Sequence, residues 1–373
     1  MKKDDLIYYL GFSYYLGIGP MTFKIIKSHP KGVRGIYEAS QKELLSIFGV
    51  KLTEKFIEFR RKFDPKKELE KLQKDKITVL PVDSDDYPES LKNISDPPIC
   101  LYLKSSTTKF FSGKPKTAKN LLSSLYFAIV GTRKPTSYGT QIAYKFAREL
   151  AEAGFVIVSG MAMGIDTIAH QAALDVGGKT IAVLGCGVNV VYPTINYQLY
   201  QNIIKSGGAV ISEFPPDQTV LKGLFISRNR IISGLSKGVL IAEGGEFSGS
   251  LITARFAGIQ GKDVFAVPSP INSEMSNAPN LLIKQGAKLV TKVEDIYEEF
   301  DMKITPRKKE DIRKNLSEDE KLIFDILQKN PQTIDDLAIE LEKTVSEVLN
   351  IISVLEINEV VEKNLEKKYQ IKI

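Results

Sequence analysis

The central part of this 373-residue chain repeats one pattern, namely a short apolar run, a turn that contains glycine, and an amphipathic helix. The apolar runs lie at residues 127–130, 155–158, 181–184, 209–211, 239–242 and 264–267. Strands that are apolar on both faces and alternate with helices are typical of a buried parallel sheet covered on both sides. The sequence therefore predicts an α/β fold. In such sheets ligands bind beyond the carboxyl ends of the strands, so the residues after each run are the candidate site residues.

Before this pattern, residues 1–64 alternate amphipathic segments with glycines and predict a small helical domain. The segment Gly17-Ile18-Gly19-Pro20 either offers backbone N–H groups to a DNA phosphate or only permits a tight turn between two helices. Apolar runs at 77–80 and 99–103 predict strands at the edge of the next domain, which is expected to span residues 65–301. Residues 104–124, rich in Ser, Thr and Lys, predict an inserted loop within that domain.

A charged stretch at residues 302–315 predicts a linker, and residues 316–373 predict a final small domain. Ser317 and Glu320 have the spacing of a capping box at the start of a helix. Two more helices and a hairpin are predicted to follow, an arrangement typical of a winged helix. In the third helix, residues 345–357, the side chains expected to face inward are Val348, Leu349, Ile352 and Leu355. The exposed ones are expected to be Ser346, Glu347, Asn350 and Glu356, which favours docking or regulation over reading of a DNA major groove.

Composition excludes several classes of protein. The net charge of +6 suits an anionic partner. Only two cysteines occur, Cys100 and Cys186, and their separation supports neither a disulfide framework nor a zinc site. Because the first residues carry acids where a signal peptide needs a basic start, and because no segment is apolar enough to span a membrane, a cytoplasmic protein without membrane attachment is expected.

Two of the loops that follow apolar runs could bind phosphate through backbone amides. After the first run the chain continues with Gly131, Thr132, Arg133 and Lys134, which match neither a dinucleotide-binding glycine motif nor a Walker loop. No nucleotide cofactor is therefore predicted. After the second run the candidate site residues are Ser159, Gly160, Met161 and Gly164, and Asp166 is expected to cap the following helix.

The segment from Lys222 to Arg230 places three cations and one phenylalanine within nine residues. Cations can contact phosphates beside an aromatic ring on which a base stacks, so Lys222, Phe225, Arg228, Asn229 and Arg230 are candidate DNA contacts. Other interpretations stay open, because Phe225 could belong to the core and an arginine could pair with Glu213 or Glu243. After the fifth run, a glycine-rich stretch opens a helix and adds three candidate anion contacts: Ser248, Gly249 and Ser250.

In their order along the chain, these motifs resemble those of the DNA-processing protein A (DprA/Smf) family. The resemblance rests on Val130 to Pro135, Ser159 to Asp166, Ala182 to Gly187 with Val191-Tyr192-Pro193, Ser212 to Pro216, Arg228 to Ser236, and Ser248 to Ala254. It extends to the flanking domains, as a SAM-like or helix-hairpin-helix-like N-terminal domain and a C-terminal winged helix match one layout of the family.

The resemblance implies an extended Rossmann-like, dimeric protein that binds single-stranded DNA, protects it, and helps to load the RecA recombinase during natural transformation and recombination. By motif, it makes Arg133 and Lys222 phosphate contacts and Phe225 the base-stacking residue, with Ser159, Gly160 and Arg228 in the pocket wall. The family often has arginine where Met163 stands here, which removes one cation from the pocket rim.

An enzyme is the alternative. The stretch from Gly244 to Ser250 distantly resembles the glycine turn of nucleoside-monophosphate phosphoribohydrolases, whose fold is related. That family needs a glutamate shortly after the turn, and residues 251–255 contain none. No other combination of acid, base and nucleophile is evident, and no carboxylate cluster suits a metal-dependent nuclease, so no catalytic residue and no metal ligand are assigned. A sequence-specific regulator that acts through the winged helix is a third possibility, disfavoured by the acidic face of that domain.

Overall fold

The computed structural model describes residues 5–107, 110–111, 125–302, 313, 316–357, 360–364 and 368–371. The chain divides into two compact units, Met1–Met302 and Lys303–Ile373. Most of the predicted inserted loop, at 108–109 and 112–124, lies outside the described residues, as do 303–312 and 314–315 of the predicted linker.

A mixed sheet forms the centre of the first unit. Its strands are β1 (Thr78–Pro81), β2 (Cys100–Ser105), β3 (Tyr126–Val130), β4 (Val156–Ser159), β5 (Thr180–Val183), β6 (Ala209–Ser212), β7 (Gly238–Ile241), β8 (Asp263–Ala266) and β9 (Lys288–Leu289). They are arranged in the order β1-β2-β6-β5-β4-β3-β7-β8-β9. In this spatial order, all strands from β6 through β3 to β9 are parallel. Strand β2 pairs antiparallel with β6, and β1 pairs antiparallel with β2. This confirms the predicted α/β fold and the two predicted edge strands.

The order of the strands reverses next to β3. From β3 the chain adds β4, β5 and β6 on one side, then returns to place β7, β8 and β9 on the other. Ala128 of β3 pairs with Val158 of β4 and with Val239 of β7, so the loops after these three strands emerge side by side. A reversal of this kind opens a crevice at the carboxyl ends of the strands.

Helices cover the sheet and form the N-terminal part of the first unit. They are α1 (Leu6–Tyr14), α2 (Pro20–Ser28), α3 (Gly32–Tyr37), α4 (Gln41–Lys62), α5 (Pro65–Lys74), α6 (Glu89–Lys92), α7 (Ser137–Glu152), α8 (Ile165–Asp175), α9 (Tyr197–Lys205), α10 (Lys222–Leu235), α11 (Gly249–Ile259), α12 (Asn277–Lys284) and α13 (Glu294–Glu299). Gly49 interrupts α4 with a φ of 73°, a conformation that glycine adopts without strain.

The N-terminal helices pack around aromatic rings and contact the edge of the sheet. Phe12 of α1 stacks on Phe56 of α4 with ring centroids 5.3 Å apart. The hydroxyls of Ser13 and Tyr102 lie 2.8 Å apart and join α1 to β2. Helices and sheet therefore share one compact unit, and the division at residue 64 stays a prediction.

Among the residues described from 316 onward in the second unit, three helices and a hairpin are present, as predicted. Its elements are α14 (Glu318–Lys329), α15 (Ile334–Glu340), α16 (Val345–Ile357), β10 (Val361–Lys363) and β11 (Tyr369–Ile371). The predicted capping box of Ser317 and Glu320 is present. Leu349 was predicted to face inward, and this is wrong because its side chain is 44% exposed. Val348, Ile352 and Leu355 are fully buried, and Leu349 follows Val348 by one residue, which rotates it away from that stripe.

None of the described helices combines the length and the apolar character needed to cross a membrane.

Candidate nucleic-acid interface

A cleft of about 1120 Å³ opens at the carboxyl ends of the parallel strands, where the strand order reverses. The predicted site residues that line it are Gly131, Thr132, Arg133, Lys134, Lys222, Phe225, Arg228, Asn229, Ser248, Gly249 and Ser250. Most of the predicted set is thus brought together, although it comes from loops and helices more than a hundred residues apart in the sequence.

The loop after β3 supplies two exposed cations on a fixed backbone. Thr132 donates its N–H to the carbonyl of Glu243 at 2.8 Å, and its own carbonyl accepts from the N–H of Ile165 at 3.1 Å. Arg133 and Lys134 are exposed, and within the described part of the chain neither forms an ion pair. Both charges are therefore available to an anion.

Helix α10 carries the central residues of the cleft. Lys222 is its first residue and is exposed, while Phe225, one turn later, is half-buried. The Phe225 ring lies 5.6 Å from the ring of Tyr192, and the guanidinium groups of Arg133 and Arg228 lie 5.9 and 6.0 Å from its centroid. An aromatic surface bordered by cations can take a base while neighbouring charges hold phosphates.

Arg228 is buried beneath this surface and connects the ends of two strands. Its guanidinium donates to the carbonyl of Gly160 at 2.6 Å and to the carbonyl of Val183. Burial lowers the pKa of Arg228 and raises that of the Asp166 carboxyl nearby, and attraction between the two charges opposes both shifts. Arg228 thus holds the floor of the cleft in place.

The loop after β4 lies behind the cleft. Ser159 is fully buried and donates its hydroxyl to the carbonyl of Ile129 at 2.7 Å, and Met161 is fully buried with a φ of 61°. Ser159, Gly160, Met161 and Gly164 do not line the cleft. The prediction that Asp166 caps the following helix is wrong, because Gly164 occupies the N-cap of α8 and Asp166 accepts from the N–H of Ala162 at 3.3 Å.

Arg230 also lies outside the cleft. Its guanidinium is buried and pairs with Glu213 at 2.5 Å and with Asp96 at 3.0 Å. Two residues along a helix correspond to a rotation of about 200°, which places Arg230 on the side of α10 opposite Arg228. Arg230 is therefore the arginine with a structural ion pair. Its partner Glu213 is one of the two glutamates considered from the sequence.

Glu243 has no arginine partner among the described residues. Its carboxylate accepts from the N–H and the hydroxyl of Thr136 at 2.8 and 2.5 Å. The carboxylate also fills the space beside Gly139 and leaves no room there for a Cβ. Glu243 thereby joins the end of β7 to the start of α7.

Serines at the start of α11 form the remaining wall. Ser248 is the N-cap and accepts from the N–H of Ser250, and the side chain of Asn229 donates to the carbonyl of Gly249 at 3.4 Å. The hydroxyl of Ser250 is held 2.7 Å from that of Ser248. These contacts bring α10 and α11 together along the cleft.

Sequence reasoning missed several lining residues, among them Tyr192, Ile226, Glu246, Phe247, Glu274, Met275 and Asn277. Tyr192 and Phe247 stand in loops after predicted strands, so an aromatic side chain beside glycine or proline was the available signal. Glu274 to Asn277 had no such signal, because they reach the cleft only through the position of the loop after β8. No group of side chains in the described residues has a composition that could hold a metal ion.

Comparisons with known proteins find similar sequences in both units of the chain. Residues 78–301 match the family model described as DNA recombination-mediator protein A, and residues 307–364 match the DprA winged helix domain. DNA processing protein DprA of Bacillus subtilis is 42% identical over 224 residues, which cover 60% of this chain and 71% of that protein. Protein Smf of Escherichia coli is 44% identical over 220 residues, which cover 59% of this chain and 56% of that protein.

Two solved structures are similar in both fold and sequence. DNA processing protein A of Streptococcus pneumoniae aligns with a TM-score of 0.67 and 35% identity, covering 80% of this chain and 98% of that one. The second is DNA processing protein A of Helicobacter pylori, described for its single-stranded DNA binding mode. It aligns with a TM-score of 0.52 and 34% identity, covering 60% of this chain and 95% of that one.

Proposed function

This chain belongs to the DNA recombination-mediator protein A (DprA/Smf) family, and from that premise we propose that it binds single-stranded DNA in the cleft. In this proposal it protects incoming strands and helps to load the RecA recombinase during natural transformation and recombination. It acts in the cytoplasm, as a homodimer.

One observation carries the proposal, namely the half-buried ring of Phe225 beside cations that form no ion pair with any described residue. Arg133 lies over the ring, and Lys222 stands one turn before it on α10. In a single strand the base faces are free to stack on such a ring, whereas in a duplex they are stacked on one another. The cations contact phosphates, which are the same for every base, so binding is independent of sequence.

The proposal assigns each residue of the cleft to a phosphate, to a base or to support of the cleft floor. Arg133, Lys134 and Lys222 contact phosphates, Phe225 stacks on a base, and amides and hydroxyls around Ser248 donate hydrogen bonds to a further phosphate. Arg228 and Gly160 support the floor rather than touching DNA. Arg230 has no role in binding, because it is paired on the other side of α10.

We further propose that binding involves no catalytic step. In the alternative, a nucleotide hydrolase, a carboxylate shortly after the glycine turn would attack or activate the substrate, and residues 251–255 contain none. Glu243, which precedes the turn, is buried and already accepts hydrogen bonds from Thr136. Labelled DNA, nucleoside monophosphates and ATP incubated with the purified protein are therefore expected to stay unchanged. Turnover that depends on Glu243 or Glu246 would favour the enzyme instead.

The test of the main proposal compares matched single- and double-stranded oligonucleotides over a range of salt concentrations. Single strands of any sequence are expected to bind more tightly, and affinity should fall steeply with salt as counterions are released. Lys205→Ala is the matched control for Lys222→Ala, since Lys205 is an exposed lysine at the end of α9, next to the amino end of β6 and away from the cleft. Equal or tighter binding to duplex contradicts the proposal.

A further inference from the structure

Phe247 is an aromatic residue displayed almost entirely to solvent at the mouth of the cleft. Its side chain is 93% exposed, although it belongs to the cleft lining together with Phe225. A phenylalanine side chain left in water forgoes the free energy that burial of its ring would provide. Large apolar groups exposed beside a binding site are often part of that site.

The backbone that carries Phe247 is held on both sides. Ser248 donates its N–H to the carbonyl of Gly245 at 3.0 Å, which closes a β-turn with Glu246 and Phe247 at its tip. Just before the turn, Gly244 donates to Met275 at 2.7 Å and accepts from Ala278 at 2.8 Å. Just after it, Ser248 caps α11. The ring is therefore presented from a fixed turn, which lowers the entropic cost of stacking on it.

The strand order places this ring at the opposite end of the cleft from Phe225. Phe225 lies against Gly185, in the loop that follows β5, and Phe247 follows β7. In the sheet β5 and β7 are separated by β4 and β3, three strand spacings of about 4.8 Å or roughly 14 Å. A stacked single strand advances about 3.4 Å per nucleotide, so this distance corresponds to about four nucleotides. Arg133 and Lys134, which follow β3, lie between the two ends.

The carboxylates beside the Phe247 ring favour a base over a phosphate at the ring itself, whereas the phosphate proposed at Ser248 lies at the start of α11. Glu246 precedes Phe247 in the turn, and Glu274 lines the same end of the cleft from the loop after β8. Carboxylates repel phosphates, whereas they accept hydrogen bonds from the amino groups of bases. A strand whose phosphates follow Lys222, Arg133 and Lys134 would therefore turn its bases toward Phe247.

We propose that Phe247 is a second base-stacking residue, so that the cleft holds a short run of nucleotides between Phe225 and Phe247. This inference rests on the proposed binding of single-stranded DNA and extends it to the length of strand that the cleft holds. A strand long enough to span both rings gains two stacks, and a shorter one gains only the stack on Phe225.

The test measures the affinity of oligonucleotides from about two to about eight nucleotides for the whole chain and for four variants, among them Phe225→Ala. Phe247→Ala is expected to weaken binding of the longer oligonucleotides about five-fold to a hundred-fold, the range of one base–aromatic stack, with the salt slope unchanged. The affinity of this variant for the shortest oligonucleotides is expected to equal that of the unchanged protein. Phe247→Trp should retain the affinity. Ile271→Ala is the matched control, because Ile271 is 98% exposed and does not line the cleft.

The outcomes separate this inference from the main proposal. If Phe225→Ala weakens binding while Phe247→Ala binds every length as the unchanged protein does, the second stack is wrong and the main proposal stands. If the unchanged protein does not bind single strands, the main proposal itself fails. A Phe247→Ala variant that changes the mass in solution but not the affinity for DNA would assign the ring to a protein contact and overturn the inference. Photocrosslinking of an iodinated uracil at the end of the strand to the peptide containing Phe247 would support it directly.

Discussion

At the scale of single residues, the proposed DNA contacts are of two physical kinds, which respond differently to salt. Lys222 and Arg133 are exposed cations, and a phosphate bound to either releases a counterion. Phe225 offers the face of a ring, and stacking on it releases none. The dependence of affinity on salt therefore distinguishes the two roles.

Replacement of either cation by alanine is expected to weaken binding and to reduce the salt slope by about one unit for each phosphate that the variant no longer binds. Phe225→Ala should instead cost about 1–3 kcal/mol of affinity and leave the slope nearly unchanged. The measurement is a titration at several salt concentrations, with a melting curve for each variant. If Phe225→Ala also lowers the free energy of unfolding by about 3–5 kcal/mol, the ring is part of the core and the stacking role is wrong.

His170 is a buried residue whose charge depends on folding. Thr180 gives its hydroxyl proton to the carbonyl of Ile157, so it can only accept from Nδ1 of His170, which lies 2.6 Å away. Nε2 then carries no proton and has no hydrogen-bond partner among the described residues. Burial, with a smaller contribution from Arg228, lowers the pKa of His170 from 6.5 to about 3.

Because this pKa is lower in the folded chain, the unfolded chain takes up the proton first as the pH falls. The contribution of His170 is complete above pH 6.5 and is lost progressively between pH 6.5 and about 3. As the pH falls from 6.5 to 5, the loss in free energy of unfolding relative to a His170→Gln variant is expected to steepen toward about 1.4 kcal/mol per pH unit. Denaturant titrations across this range provide the comparison, and equal pH dependence in the two proteins would rule out a buried neutral His170.

At the scale of elements, helix α10 faces the cleft on one side and is bonded to neighbouring segments of the α/β unit on the other. Lys222, Phe225 and Arg228 recur every three residues and face the cleft. On the other side, Arg230 joins α10 to Glu213 after β6 and to Asp96 in the segment before β2. This ion pair thus ties α10 to neighbouring segments on the side away from the cleft.

Arg230→Met is expected to destabilise the protein by about 3–5 kcal/mol, because it leaves the Glu213 carboxylate without its counter-charge in a nearly buried position. Adding Glu213→Leu should recover much of this loss. Thermal or denaturant unfolding measures both effects. The DNA affinity of the folded variant should match that of the unchanged protein, and a large loss of affinity with normal stability would instead give Arg230 a direct role in binding.

At the scale of the whole molecule, α11 has one end at the cleft and the other on an exposed apolar surface. Ser248 caps its first turn beside the cleft, whereas Ile259 at its last residue is 65% exposed and Phe256 is half-buried. We propose that these two side chains belong to the interface of the proposed homodimer.

Light scattering at micromolar concentration is expected to give about twice the mass of 41.5 kDa, and Ile259→Lys should shift the protein toward the single-chain mass. A lysine at this position would place a charge in an apolar interface, which is costly. Val50→Lys, at an exposed site on the N-terminal helices, is the matched control. A single-chain mass for the unchanged protein would contradict the dimer.

Much of this architecture is determined locally, and the sequence therefore predicts it. Apolar runs such as 239–242 can bury both of their faces only in a sheet that is covered on both sides. Ser317 caps the helix that follows it by accepting a hydrogen bond from the backbone N–H of Glu320, three residues away. The cations of the cleft were also predictable, because the carboxyl ends of parallel strands meet at one edge.

Only the tertiary structure decides which of these side chains face the cleft. Arg228 and Arg230 look equivalent in the sequence, yet one supports the cleft floor and the other pairs with Glu213, since their partners come from distant strands. The strand order, which no local pattern specifies, brings Tyr192 beside Phe225 and places Phe247 at the far end of the cleft. Local chemistry thus determines what each segment forms, whereas burial and partners follow from packing between segments far apart in the chain.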